Sequence, residues 1–510
     1  MGRKVGTILS FVAIILEVFV ALFLTPLIIK SFGQAEYGVY TLVLSITAYL
    51  ALLDLGVGHS VVKFISKYRA NKQVEETQKF LGVTTVYFFS IALFAFLCGM
   101  IIYIFFPQIF GKGLSYDEII LAKKILIIAV LNICITLGTA SFFYTVVAYE
   151  NHLISKGLLI LITAIRAIVS FILVKNGYRS VAVCAITTLS NFVFRLLVVF
   201  FVLFVMKIKP RLKATKSINI KEIIFFSSFV LLQMIAQQLN NVTDQVLIGM
   251  FVSSSSIILG IYGVGAQINT YFQSFGGALN GVLMPGVVRL VESGADKTQI
   301  RKEMSRIGRF NLMFVGLIWV VFLVLGKDFI VLWSGVENSQ SYYVALFLML
   351  PLVFIIVQNI GTQVLWAYNK HKKQAILKLI IVICNIGLTI LLIKWNPLYG
   401  AVLGTFISLV FGDIVVMQIV FKKDIGISLM LYYKELFHGL LLSLLLTGVL
   451  GHIISYVPVN GWIGFIVKGS MMVAVFLALL FLVGFNDYER RLLKKISIKY
   501  LRIGRKKENV

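Results

Sequence analysis

Gln233, Gln237, Asn240 and Asp244 recur every three or four residues within one otherwise apolar stretch. On a helix, at about 100° per residue, they fall within about 60° of one another. Gln238, Asn241 and Gln245 enrich the same stretch. The next apolar segment places Asn269, Gln273, Gly277 and Asn280 on one face. Amides and a carboxylate cannot face lipid tails cheaply, so these faces must turn toward protein or water. One or two amides would be glue between helices. The density found here predicts the lining of a hydrated cavity. Asp244, the carboxylate of that stripe, is the candidate to take up a proton or sodium ion.

Other charges also lie inside apolar segments. Glu17, Arg166 and Arg195 sit near the middles of theirs. Glu17 could neutralise one arginine as a structural ion pair, which leaves one positive charge over. Alternatively, a guanidinium fork could hold a phosphate group within the cavity. Asp413 reads as structural. Asp54, beside Gly56 and Gly58, reads as the end of a helix with a break after it. Lys378 and Lys468 lie near segment ends, where long cations reach back to water. There is no Walker loop, no HExxH and no G-x-S-x-G, and the five histidines do not cluster. No catalytic residue, metal site or organic cofactor is expected; a coupling H+ or Na+ is. The four cysteines all lie in apolar segments without a CxxC pair and read as small core residues.

These residues need elements to carry them. The chain is 59% hydrophobic and 13% charged over 510 residues, with a mean hydropathy of +0.97. That excludes a soluble domain of this length. About fourteen segments are near the ~20 residues a helix needs to cross a bilayer. They cover residues 5–30, 37–62, 80–106, 121–147, 158–174, 181–206, 223–252, 257–284, 310–333, 342–368, 376–394, 401–421, 436–457 and 462–484. The first is too long for a signal-peptide core and lacks a small-residue cleavage site, so it is expected to stay. The gaps between segments alternate between basic and nearly uncharged. Of the 47 Lys and Arg, roughly 35 fall on one side, about 8 on the other and about 4 within segments. The net charge of +26 is therefore the positive-inside rule at work, not a nucleic-acid surface. An even number of crossings puts both termini in the cytoplasm.

The chain also repeats itself. Glu36-Tyr37-Gly38-Val39 after the first segment matches Ile261-Tyr262-Gly263-Val264 after the seventh, at an offset of 225 residues. Ala148-Tyr149-Glu150-Asn151-His152 matches Ala367-Tyr368-Asn369-Lys370-His371, at an offset of 219. Six crossings separate the halves, so both have the same orientation, as in parallel-repeat transporters. The expected fold is an all-α polytopic membrane protein. A six-helix lobe over 1–206 joins a second over 223–421 through a basic cytoplasmic linker, 207–222. Two extra helices fill 422–484, and a basic cytoplasmic tail follows over 485–510.

Specific residues then resemble a known family. Leu53-Asp54-Leu55-Gly56-Val57-Gly58, with Lys63 and Lys67-Tyr68-Arg69-Ala70, looks like the end of the second helix in polysaccharide-biosynthesis flippases. Asn240-Asn241, Asp244 and Ile248-Gly249, then Ile261 to Val264, resemble their seventh and eighth helices. Leu365-Trp366-Ala367-Tyr368-Asn369-Lys370-His371-Lys372, and Asn385 before Leu398-Tyr399-Gly400, resemble their tenth to twelfth. These are the Wzx-type exporters of lipid-linked O-antigen, capsule and exopolysaccharide units. Multidrug extruders and lipid II flippases share their superfamily. The resemblance runs from Val5 to about Phe421. It implies two lobes around a cavity that opens alternately to each side of a bacterial cytoplasmic membrane. It implies an undecaprenyl-pyrophosphate-linked oligosaccharide as substrate, membrane lipid around the prenyl tail, and other polysaccharide-assembly proteins as partners. One departure matters. Lipid II flippases carry arginines on the first helix, where this chain has Glu17 and no arginine, which argues against lipid II.

Two other readings compete. A cation-coupled multidrug exporter of the same fold would suit Glu17, Asp244 and Asp413, but the two central arginines disfavour it. A polytopic glycan polymerase or glycosyltransferase would need a sizeable outer loop, since loop function needs room. The longest outer gap here, near Pro107 to Ile120, is only about 14 residues. A scaffold without transport leaves the polar seventh helix unexplained.

Overall fold

In the computed structural model, residues 2–211, 220–368, 370–492 and 494 are described. Every regular element among them is helical. In hydrocarbon each backbone polar group has to be satisfied inside its own segment, which helices do. The chain runs through α1 (Gly2–Phe32), α2 (Gln34–Leu50), α3 (Val57–Ala70), α4 (Val74–Phe110), α5 (Tyr116–Gly138) and α6 (Ala140–Ala148). It continues through α7 (Leu159–Lys175), α8 (Ser180–Phe200), α9 (Ile220–Phe251), α10 (Ser256–Glu292), α11 (Lys297–Ser334) and α12 (Ser341–Ala367). It ends with α13 (His371–Ile393), α14 (Pro397–Ser408), α15 (Met417–Val420), α16 (Leu429–Phe437), α17 (Leu440–Ser455) and α18 (Gly461–Leu479). Among the described residues, 11 helices are long and apolar enough to cross a membrane, or 12 if the pair α16–α17, bent by 45°, is one span. The protein is thus a multi-pass membrane protein.

Two of the expected segments are broken, the second near the Asp54–Gly58 stretch and the fourth within what the sequence reads as one helix. The second span ends at Leu50, passes through a tight turn over Ala51–Asp54, and restarts at Val57. Leu55 and Gly56 both take left-handed φ, 53° and 73°. Asp54 stabilises the restart, because its Oδ1 accepts the Gly58 N–H at 2.9 Å, as a carboxylate at a helix N-terminus does. The fourth span divides at Thr139 into α5 and α6. The Thr139 hydroxyl donates back to the Ile135 carbonyl at 2.6 Å, a bond that bends helices. α5 starts cleanly, with a Ser115–Glu118 capping box. Asn396 and Pro397 start α14, the Asn396 side chain accepting from Leu398 N and Tyr399 N.

Two compact units emerge. The first comprises Met1–Tyr271, Ser334–Ala345 and Lys372–Asp413. Here the C-terminal part of α2 is hydrogen-bonded to α9: Ser45 to Gln245 and Tyr49 to Thr243. It also lies against α10, where Gly38 meets Ser256 and Gly260 backbone to backbone. Val61, Phe64, Phe80 and Phe88 form an apolar cluster between α3, α4 and α6. The second unit comprises Phe272–Trp333, Leu346–His371 and Ile414–Val510. Its anchor is Arg309, which is 1% exposed. The guanidinium donates to both oxygens of Glu489 at 2.7 and 2.9 Å. It also donates to the carbonyls of His438 at 2.8 Å and Gly484 at 2.6 Å. One side chain thereby satisfies backbone oxygens at two helix ends and ties them to α11.

The Gly38 contact gives a direct test. A Cβ there would lie 1.9 Å from the Ser256 carbonyl oxygen and 2.7 Å from Gly260 N. Neither is a flexible side chain, so α2 and α10 would have to part. Gly38→Ala is expected to cost about 1–3 kcal/mol, read as a lower Tm in detergent. Gly277→Ala, whose Cβ meets nothing within 4 Å, is expected to leave Tm unchanged or slightly raised. Equal behaviour of the two variants would contradict this packing.

Candidate functional site

The buried carboxylate of Asp244 on α9 is the centre of a polar cluster in the first unit. Tyr262 on α10 donates its hydroxyl to Oδ2 at 2.5 Å. Thr405 on α14 donates to the same oxygen at 2.7 Å, and Thr389 on α13 reaches Oδ1 at 3.4 Å. Asn385, one turn before Thr389, places its Oδ1 3.1 Å from Thr389 Oγ1 and 3.2 Å from Thr405 Oγ1. Its amide reaches Asn240 Oδ1 at 3.4 Å. Each threonine has one hydroxyl proton, so each chooses between Asp244 and Asn385 at any moment. Among the described residues, no lysine or arginine pairs with Asp244. A glycine makes the geometry possible: a Cβ on Gly404 would lie 2.4 Å from Thr389 Oγ1, so α13 and α14 approach closely there. The result is an all-oxygen donor set around one carboxylate. Such a set suits a proton or a hard monovalent cation and offers nothing to a soft metal.

The two arginines look into separate cavities of the same unit. Arg195 on α8 lines one of about 190 Å³ together with Asp54, Thr136 and Tyr144. Its guanidinium lies 4.8 Å from the Phe143 ring centre and 5.8 Å from that of Phe194, a cation–π arrangement. Its Nε and Nη1 are buried without a hydrogen-bond partner. Asp54 Oδ2 accepts from the Tyr144 hydroxyl at 2.7 Å. Arg166 on α7 lines the second cavity, of about 240 Å³, with Asn132, Thr136, Thr187 and Asn191. There Asn191 donates to Asn132 Oδ1 at 2.6 Å and Thr136 Oγ1 at 2.8 Å. Thr136 lines both cavities.

The remaining candidates are distributed as follows. Glu17 is exposed on α1, and among the described residues it forms no ion pair with either arginine. Gln237 is exposed and Asn240 half-buried. Asn269 is half-buried, with its Oδ1 enclosed and unpartnered. Gln273 is half-buried. The side chains of Gln233, Asn241 and Asn280 lie outside the described residues. Asp413 pairs with Lys378 at 3.4 Å. No cluster of three or more His, Cys, Asp or Glu suited to a metal occurs among the described residues. Sequence reasoning missed Tyr262, Thr389 and Thr405 as partners of Asp244, and Tyr144 as the partner of Asp54. The available signal was the i, i+4 spacing of Asn385 and Thr389, which puts both on one helix face.

Residues 4–291 match the family described as polysaccharide biosynthesis protein. Among curated protein sequences none matches this chain. Solved structures do. A structure titled lipid II flippase MurJ, inward closed conformation, aligns with a TM-score of 0.71 at 18% identity, covering 96% of this chain and 100% of that one. An inward-facing multidrug resistance MATE family transporter of the MOP superfamily aligns at 0.59 and 13% identity, covering 79% and 96%. A variant of the Vibrio cholerae MATE transporter VcmN aligns at 0.55 and 14% identity, covering 83% and 99%. At these identities the likeness is one of fold.

The arrangement of charges predicts which pairs are coupled. Glu17→Gln and Arg195→Gln should have additive effects on unfolding free energy, to within about 0.5 kcal/mol, as expected for residues without shared partners. Asp54→Asn and Arg195→Gln share a cavity and should depart from additivity by more than that. A double-mutant cycle in detergent reads both. Coupling of Arg195 to Glu17 but not to Asp54 would contradict this placement.

Proposed function

We propose that this chain, which belongs to the polysaccharide biosynthesis protein family, moves an undecaprenyl-pyrophosphate-linked oligosaccharide across the bacterial cytoplasmic membrane by alternating access, coupled to H+ or Na+. Family and fold are those of membrane transporters, not of enzymes. The observation that carries the coupled reading is the oxygen cluster of Asp244, Tyr262, Asn385, Thr389 and Thr405. Four helices contribute to it, so binding or loss of one positive charge changes what holds α9, α10, α13 and α14 together. A ligand shifts a conformational equilibrium only through such differential contacts.

Arg166 and Arg195 are the residues proposed for the pyrophosphate. Each opens onto a cavity, and Arg195 keeps two donor nitrogens, Nε and Nη1, unused. Bidentate guanidinium contacts to phosphate are strong and directional. The same surplus of positive charge disfavours a cationic drug as cargo. The amides Gln233, Gln237, Asn240, Asn241, Asn269, Gln273 and Asn280, with Glu17, are proposed to line the path of the glycan, while the prenyl tail stays in lipid. Adding α9 and α10, which carry the polar stripes, to the twelve apolar spans gives the fourteen crossings of the proposed topology. Lobes 1–206 and 223–421 then flank the cytoplasmic linker 207–222. The extra pair 422–484 and the tail 485–510 follow, with both termini in the cytoplasm. Polysaccharide-assembly proteins are the proposed partners.

Two outcomes test this. Asp244→Asn keeps the volume and one acceptor oxygen for Tyr262 and Thr405, turns the other into an NH2 from which the Thr389 hydroxyl can accept while donating to Asn385, and removes the ionisable group. It is expected to insert at wild-type levels and to lose most surface polysaccharide in a complementation assay. Full polysaccharide from normally inserted protein would remove Asp244 from the mechanism. Independently, a cysteine at Ser217 should resist membrane-impermeant thiol reagents in intact cells. Labelling from outside would overturn the orientation.

A further inference from the structure

We infer that the second unit binds the phosphate of an anionic phospholipid headgroup, in a cavity between α11 and the start of α18. The cavity measures about 360 Å³ and is lined by Lys327 and Asp328 from α11, Asn460 from the preceding loop and Lys468 from α18. Lys468 is 8% exposed, and it stands two turns into an apolar helix. Its ammonium donates to the Ser455 carbonyl at 2.9 Å. An ammonium carries three N–H donors, so two remain for whatever fills the cavity. Among the described residues, Asp328 forms an ion pair with neither lysine. The cavity therefore holds two ammonium groups, of the buried Lys468 and the exposed Lys327, against the one exposed carboxylate of Asp328. A phosphodiester supplies the missing negative charge and several acceptor oxygens.

The surroundings select a lipid over a free anion. Phe329 stacks on Trp333 at 5.6 Å and packs against Trp462 at 6.2 Å and Phe465 at 5.5 Å. Such aromatic groups gather at the level of lipid headgroups. Leu325, Val331 and Phe465 give the cavity an apolar wall, which suits the glycerol and upper acyl segments. In the proposed topology this end of α11 and α18 faces outward, so the ligand comes from the outer leaflet. The site uses none of the residues proposed for the glycan or the coupling ion.

The test uses the full chain in neutral detergent, with thermal unfolding followed against added lipid. Phosphatidylglycerol is expected to raise Tm by several degrees, because a ligand that binds only the native state stabilises it. Phosphatidylcholine with the same acyl chains should do so far less, and inorganic phosphate hardly at all. Lys468→Gln should abolish the phosphatidylglycerol shift, Lys468→Arg should keep most of it, and Lys327→Gln should weaken it. An equal shift with phosphatidylcholine, or a full shift with inorganic phosphate, would overturn an anionic-lipid site. So would an unchanged shift in either glutamine variant. If Lys468→Gln does not fold, native mass spectrometry of Lys327→Gln decides. Undiminished phosphatidylglycerol adducts would contradict the inference, and their loss would support it.

Discussion

A carboxylate inside hydrocarbon has to be held by protein, and the packing of α9, α10, α13 and α14 follows from that need. Leaving Asp244 without partners would cost several kcal/mol at least. Three hydroxyl groups meet it instead, one from each neighbouring helix. The donors are neutral, so the cluster holds the carboxylate without cancelling its charge. That leaves one negative group that a proton or cation can still neutralise, at the point where four helices meet. An arginine partner would have frozen it. The close approach at Gly404 belongs to the same design, since a larger residue would push Thr389 away from the carboxylate.

The arginines show the opposite use of one chemical group. Arg309 is saturated by a carboxylate and backbone carbonyls, and what it does is hold helix ends together. Arg195 is stacked between phenyl faces and keeps N–H groups free beside a cavity. Breaking a saturated buried pair leaves an uncompensated charge and is strongly destabilising. An unsaturated guanidinium already bears part of that cost in the folded state, which is why it is the one available to an anionic ligand. Arg309 is a constituent of the fold; Arg195 is a candidate for binding.

How far the sequence could be read depended on the range of the signal. The helical class was legible because hydropathy is a local signal. The stripe of Gln233, Gln237, Asn240 and Asp244 was legible because 3.6-residue periodicity lies within one segment. The partners were not. Thr389 and Thr405 lie far from Asp244 in the chain, and a threonine in an apolar helix usually bonds its own backbone, as Thr145 and Thr447 do here. Only the approach of three helices marks out the two that do not. The same blindness left Glu17 as a possible partner for either central arginine, although Asp54 is the acid that shares the cavity of Arg195. Arg309 stands at the edge of an apolar segment like many other cations of the chain, and nothing local tells that Glu489 will fold back onto it.

The central claim is that charge at Asp244 drives the movement of a lipid-linked glycan, and coupled flux in proteoliposomes tests it most directly. Purified protein would be reconstituted with an undecaprenyl-pyrophosphate-linked oligosaccharide, and its transbilayer movement measured with and without an imposed Na+ or H+ gradient. The account predicts that one of these gradients accelerates movement by wild-type protein. It also predicts that substrate movement dissipates that gradient, and that Asp244→Asn loses both effects while remaining folded. Gradient-driven movement of undiminished rate in Asp244→Asn would contradict it.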